Sequence, residues 1–312
     1  MKLKRYNMFI LPLVIILMAC SDSEDSTPEQ PITEPTATET GSGKTDGYKL
    51  VWEDLFQKPD LDTDKWTIEV YGDGSGNNEL QYYLEKNISV GLEPVTNKSS
   101  LIITARKEQY GGKPATSGRL TTQNKYTITH GKVEASIKLP STANGLWPAF
   151  WLLGADYPTK GWPACGEIDI LEMGHINGIK NNVQDKYFNG ALHWGPDWNG
   201  GAYPNYAKDK TADYSLQEDF HLYTLIWDES DIKMYLDLDK YPDAKPYFEM
   251  GIADTSNDLS PGKYFHKDHF IILNLAVGGN FTQIWDINKV TALNSGEAKM
   301  YVDFVKVYQK EK

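Results

Sequence analysis

The chain has 312 residues, with 43 acidic against 31 basic side chains and a net charge of −12. That balance excludes the broad basic face that nucleic acids and anionic membrane surfaces select. Hydrophobic residues make up 40%, enough for a sizeable core, and 9 Trp and 19 Tyr leave a surplus of rings suited to a groove with flat apolar faces.

The chain opens on Lys2, Lys4 and Arg5, followed by "MFILPLVIILMA". These 12 residues include Pro12 and are too short to span a bilayer. The run ends in "LMAC", which resembles a bacterial lipoprotein lipobox. The resemblance implies that residues 1–19 are a signal peptide and that Cys20 is lipidated as the mature N-terminus. An ordinary secretory signal with an incidental cysteine is the alternative. The following "SDSEDS" resembles the acidic export tag of surface lipoproteins in the Bacteroides group, implying a lipid-anchored protein at the cell surface. Residues 20–46 are rich in Ser, Thr, Pro and Glu and read as a disordered tether. Residues 47–312 then form one domain. With Cys20 acylated, Cys165 has no disulfide partner and reads as a small buried filler.

Strand signals follow in order. "SLIITARK" (100–107) is one. "GKVEASIKL" (131–139) alternates strictly, with Val133, Ala135, Ile137 and Leu139 on one face. "YTLIWDESDIKMYLDL" (223–238) reads as a hairpin turning at "DESD", with Ile232, Met234, Leu236 and Leu238 inward. "HFIILNLAV" and "KMYVDFVKVYQ" add two more, and no long apolar helical period occurs. Many strands between Gly-, Pro- and Asn-rich loops predict an all-β antiparallel sandwich.

One stretch breaks the pattern. In "CGEIDILEMGHING", Glu167 and Asp169 share a strand face, but Glu172 falls on the other. A β-bulge between Asp169 and Glu172 restores agreement, because it passes one extra residue without flipping the later side chains. Five residues of strand span about 16 Å, or about 13 Å with a bulge. Side chains leaning together then bring the two Glu carboxyls to about 5 Å, the separation a retaining glycosidase uses. Crowded carboxyls also share a proton, giving one acid and one anion near neutral pH. A metal site including His175, or a solvated edge strand, are the alternatives at this point.

Other segments join this one in a resemblance. "GEIDILEMG" is similar to the active-site strand of glycoside hydrolase family 16 in its bulged E-x-D-x-x-E, laminarinase-like form. "NNELQYYLEKN" (77–87), "SGRLTTQNKYTITHGKVEASIKLP" (117–140), "GLWPAFWLLG" (145–154), "ALHWG" (191–195), "ILNLAVGGNF" (272–281) and "YVDFVKVYQ" match other family segments in order. The resemblance covers residues 48–310. It implies a concanavalin A-like β-jelly roll with a substrate cleft on its concave face.

By the resemblance, Glu167 is the nucleophile, Glu172 the general acid/base and Asp169 an auxiliary acid. His193 is implied to lie beside the acid/base and assist proton handling. Trp147 and Trp151 match sugar-contacting residues, with core packing as the alternative. Trp162, just before the acid strand, is expected to be a sugar platform, and Arg119 and Asn78 match residues that contact sugar hydroxyls, with loop stabilisation as the alternative. His130 and His175 match nothing in the family pattern. Family members often hold a structural calcium through an acid in "W-x-D-E-F" and an Asp near the C-terminus. Here Leu55 replaces that acid in "VWEDLF" while Asp303 is kept, so no metal and no cofactor are expected. The implied function is a monomeric retaining endo-β-glucanase acting on β-1,3- or mixed β-1,3/1,4-glucan. A glucan-binding module without catalysis and a hydrolase of another polysaccharide, such as agar, are the alternatives.

Overall fold

The computed structural model describes residues 47–311. The expected signal peptide (1–19), Cys20 and the tether (20–46) lie outside the described residues.

Alternation in the sequence becomes strand in the structure. "GKVEASIKL" forms the strand Gly131–Lys138, with Val133, Ala135 and Ile137 fully buried. "HFIILNLAV" forms His269–Val277 from end to end and is buried at every position, as suits a central strand covered on both faces. The expected hairpin joins His221–Trp227 to Asp231–Leu236, with Trp227 opposite Ile232. Its inward pattern stops two residues early. Asp237 takes a left-handed φ of 53° and is buried. It accepts hydrogen bonds from the Tyr214 hydroxyl (2.8 Å) and the Leu222 amide (2.9 Å), and lies 2.7 Å from His221 Nδ1. The strand therefore ends on a polar anchor, and Leu238 stays half-buried outside the core.

These strands build two facing sheets, the jelly-roll sandwich expected. In the ten-stranded sheet, Gly131–Lys138 runs between His221–Trp227 and Glu297–Lys310. Its strand pairings are antiparallel, except that Gln81–Tyr83 runs parallel to Ala115–Ser117. The seven-stranded sheet carries the acids. Within it the acid strand, Glu167–Met173, lies between the central tryptophan strand, Leu146–Gly154, and the histidine strand, Tyr187–His193. Beyond the tryptophan strand come His269–Val277 and Arg119–Thr121.

The core fills the space between the sheets. Ile168, Ile170, Leu171 and Met173 of the acid strand join Val133, Ile137, Leu225 and Met234 of the opposite sheet in one buried cluster. Each such side chain contributes about 1.5–3 kcal/mol by leaving water. The acid strand is thus held by its core face, whatever its acids cost on the other. A second, smaller cluster of Leu153, Cys165, Phe270 and Ile272 packs beneath Trp151 and Trp162. Cys165 is fully buried there, and burial pushes its thiol up to about 12, which suits packing rather than nucleophilic chemistry.

Candidate active site

The slip in strand register decides which side chains meet. Glu167 stands opposite His193 and Leu153, and Asp169 opposite Ala191 and Trp151. The register then shifts, and Glu172 comes opposite Asn189 and Ala149. Ile170 and Leu171 are passed over together opposite Gly190, and both point into the core. That is the bulge expected from the sequence. It leaves Glu167, Asp169 and Glu172 on one face, away from the core.

The floor is closely tied. Glu172 Oε1 accepts from Trp147 Nε1 at 3.0 Å, and Oε2 accepts from Asn189 Nδ2 at 2.9 Å. Asp169 is buried, with its Oδ2 3.4 Å from His193 Nε2 and without a hydrogen-bond partner. His193 Nδ1 lies 3.2 Å from the Tyr203 hydroxyl. His193 was expected beside the acid/base. It sits instead against Asp169 and opposite Glu167, because the shifted register brings Asn189, not His193, opposite Glu172.

Burial raises all three carboxyls, and repulsion adds to it at Glu167 and Asp169. Glu167 is pushed up to about 8, first by burial and then by the charge of Glu172, while Arg119 and Trp162 oppose the rise. Asp169 is raised well above the usual range by burial and by both glutamates. Glu172 is also raised by burial, but the Asn189 and Trp147 donors hold it back. The three titrate as one group and keep at least one proton at neutral pH, held most firmly at the Asp169 end. Burial lowers His193 to about 4, so its ring is neutral. The neutral ring carries one proton, and its Nδ1 and the Tyr203 hydroxyl can take either role in their hydrogen bond.

Aromatic side chains form the walls. Trp147 stacks on Phe281, with ring centroids 4.5 Å apart and planes within 9°, so one of its faces is covered. Trp151 donates from Nε1 to Asn274 Oδ1 at 2.7 Å, and the Arg119 guanidinium sits 4.8 Å from its ring centroid. Arg119 also pairs with Glu69, so its charge is committed within the wall. Trp162 meets Tyr203 edge-on at 4.6 Å and lies 6.1 Å from His193. Asn78 is exposed and donates to Asn280 Oδ1 at 3.0 Å, and the same oxygen accepts from Trp285 Nε1 at 3.2 Å.

A model of the glycosyl hydrolases family 16 matches residues 85–253, more than half of the chain. The chain belongs to glycosyl hydrolase family 16. It is 34% identical over 277 residues to a beta-glucanase of Rhodothermus marinus, covering 86% of this chain and 87% of that protein. It is 30% identical to a glucan endo-1,3-beta-glucosidase A1 of Niallia circulans, over 85% of this chain and 38% of that protein. A solved family 16 structure from a Bacteroides ovatus mixed linkage glucan locus, in complex with a G4G4G3G product, superposes with a TM-score of 0.71 at 39% identity. That match covers 82% of this chain and 99% of the other. The chain spans about a third of the length of some curated relatives it matches.

Within this family 16 cleft, Glu167, Asp169 and His193 each offer an atom within 4.8 Å of the others, a spacing that a metal could use. The calcium positions of the family fit less well. The Leu55 side chain has no ligand atom, and the neighbouring Asp54 accepts from the Phe56 amide (3.0 Å) and Trp66 Nε1 (2.8 Å). Asp303 lies 2.6 Å from Lys98 Nζ. Sequence reasoning missed Asn189, Tyr203, Phe281 and Trp285. Asn189 was within reach of it: counting down by twos from His193 along its strand leads to Ala191 and Asn189 on the same face. Phe281 and Trp285 lie in a loop with no such period.

Proposed function

We propose that the chain is a retaining endo-β-glucanase that cuts internal linkages of β-1,3-glucan, mixed β-1,3/1,4-glucan, or both. The observation that carries this reading is the register slip, which sets Glu167 and Glu172 on one floor with Asp169 between them. In the first step Glu167 attacks the anomeric carbon. The bond to the leaving oxygen breaks as protonated Glu172 gives that oxygen its proton. In the second step Glu172, now a carboxylate, takes a proton from a water that attacks the same carbon and frees Glu167. Two inversions restore the original configuration. Asp169 stays protonated between them, so a third anion does not oppose the ionisation of Glu167. Neutral His193, which itself meets Tyr203, stands beside Asp169 and adds no charge there.

Support for the substrate class comes from the mixed-linkage and β-1,3-glucan names carried by the relatives. Incubation with laminarin, mixed-linkage glucan and curdlan in parallel tests it, with oligosaccharides expected from at least one. Proton NMR of early product should show the β-anomer first. No cleavage of any of the three, or the α-anomer first, sinks the reading.

The rest of the reading comes from the N-terminal sequence. The protein is carried on the cell surface by a lipid on Cys20, acts there as a monomer, and trims a polymer too large to import. Cys20→Ala should lose label from radioactive palmitate and leave the membrane fraction. Protease added to intact cells should remove the parent activity. Light scattering at more than one monomer mass would contradict the monomer.

A further inference from the structure

The two glutamates share a face only because Ile170 and Leu171 are passed over together. A bulge disturbs the ladder and leaves main-chain groups that a regular strand would pair with its neighbours. At this bulge the Ile170 carbonyl accepts a hydrogen bond from the Tyr247 hydroxyl. Tyr247 does not belong to the acid-bearing sheet. It precedes the strand Phe248–Gly251 of the opposite sheet, and its own amide donates to the Met234 carbonyl at 2.9 Å. Its ring packs edge-on against Phe188, at 4.9 Å, and so reaches across the sandwich from the far layer.

Gly190 completes the arrangement. A Cβ there would lie 2.5 Å from Met234 Sδ, 3.2 Å from the Tyr247 ring and 3.3 Å from the Asp169 carbonyl oxygen. The residue facing the bulge is therefore one that leaves room for the tyrosine. Among the described residues, no other side chain hydrogen-bonds to the backbone of residues 167–172. Everything that fixes the bulge from the core side passes through the Tyr247 hydroxyl and the apolar packing of Ile170 and Leu171.

We propose that Tyr247 is a positioning residue for Glu172: its hydroxyl holds the Ile170 peptide and thereby sets the reach of the acid/base relative to Glu167. Glu172 comes after the bulge, and its pairings with Asn189 and Ala149 are set by where the ladder resumes, whereas Glu167 and Asp169 are paired before it. Loosening the latch moves the acid and leaves the nucleophile in place. The proposal rests on the retaining glucanase reading.

Tyr247→Phe keeps the ring and removes one oxygen. Two substrates separate the roles. A glucan has a poor alcohol leaving group and needs the acid, whereas a 2,4-dinitrophenyl β-glucan oligosaccharide expels a leaving group that needs no proton. The expected result is a fall in kcat/KM on the glucan of ten- to a hundredfold, the order that misplacement by an ångström can cause. KM should stay near the parent value, and kcat/KM on the dinitrophenyl substrate should stay within about twofold, because its first step bypasses the acid. Tyr247→4-aminophenylalanine, which keeps a donor at the same place, should restore glucan activity. Equal losses on both substrates, no loss on either, or no rescue by the amino variant would overturn the proposal. If the parent cleaves neither substrate, the retaining reading itself fails and the proposal fails with it. Cleavage by the parent with an unchanged Tyr247→Phe variant rejects the latch alone.

Discussion

Asn189 and Glu172 face each other across neighbouring strands, and the asparagine turns its amide nitrogen, not its oxygen, to the carboxyl at 2.9 Å. Asn189 Oδ1 is buried and has no partner. A donor in that place favours the charged form of Glu172, which suits the second step of the proposed mechanism. The first step needs Glu172 protonated. An amide carries a donor and an acceptor of nearly the same shape, so a half-turn would offer the oxygen to a protonated carboxyl. One side chain can therefore serve both states. Removing it by Asn189→Ala takes away a donor that holds Glu172 down. The alkaline limb of kcat/KM should then move to higher pH by roughly half a unit to one unit, with kcat down about tenfold. An unmoved limb would separate Asn189 from the chemistry.

Glu167 sets stability against activity. Its carboxyl is raised from 4.5 to about 8, mainly by burial and then by Glu172. Between those values the unfolded chain gives up the proton more readily than the folded one. The cost is absent below pH 4.5, grows through the window and is complete above pH 8. Glu167→Gln removes it. The variant should melt a few degrees above the parent at pH 8, on the order of 1–2 kcal/mol, with the gap closing toward pH 4.5. It should also lose activity on the order of a thousandfold or more. His193 slopes the other way: lowered from 6.5 to about 4 by burial, it withdraws stability as pH falls through that range. A melting gap that did not change with pH would contradict the raised carboxyl.

Arg119 ties the wall to Glu167. It lies over Trp151, pairs with Glu69, and its charge works against the burial and the Glu172 charge that raise Glu167. Arg119→Met should therefore push Glu167 further up and shift the acidic limb of kcat/KM to higher pH. It also strands Glu69, at a cost of about 2 kcal/mol, below the range for fully buried pairs because Glu69 is partly exposed. Glu69→Gln in the same background should recover much of that stability without restoring the limb.

Trp285 is 55% exposed, with its ring nitrogen held by Asn280. An aromatic face of this kind contributes about 1 kcal/mol to a stacked ring. Trp285→Ala should raise KM on a long glucan about fivefold and leave kcat unchanged. A kinetic profile equal to the parent on both long and short substrates would remove Trp285 from the binding surface.

The proposed mechanism uses carboxyls, the Leu55 side chain offers no ligand atom, and Asp303 is paired with Lys98. Dialysis against EDTA should leave kcat and Tm unchanged. Activity lost to EDTA and restored by a divalent ion would point back to the cluster of Glu167, Asp169 and His193.

Much of this was legible in one dimension. Period-two alternation located the strand at Gly131–Lys138 and the hairpin at 221–236. The same period, broken at Glu172, called for the bulge. The errors also have local causes. Leu238 continued a pattern that Asp237 ended by turning left-handed to collect three partners. Such an anchor depends on Tyr214 and His221, which are distant in sequence. His193 stands against Asp169 and opposite Glu167 because a bulge changes which residue stands opposite, and the partner strand's register is invisible in either strand alone.

The sequence by itself determined the strand class, the three acids and the single extra residue among them, because alternation and its failure are properties of consecutive side chains. Only the tertiary structure decided that Asn189 faces Glu172, that Phe281 covers one face of Trp147, and that Tyr247 reaches the bulge from the opposite sheet. Those contacts join residues 17, 134 and 77 positions apart. They are fixed by how two twisted sheets are set in register and packed face to face, which no short window of sequence records.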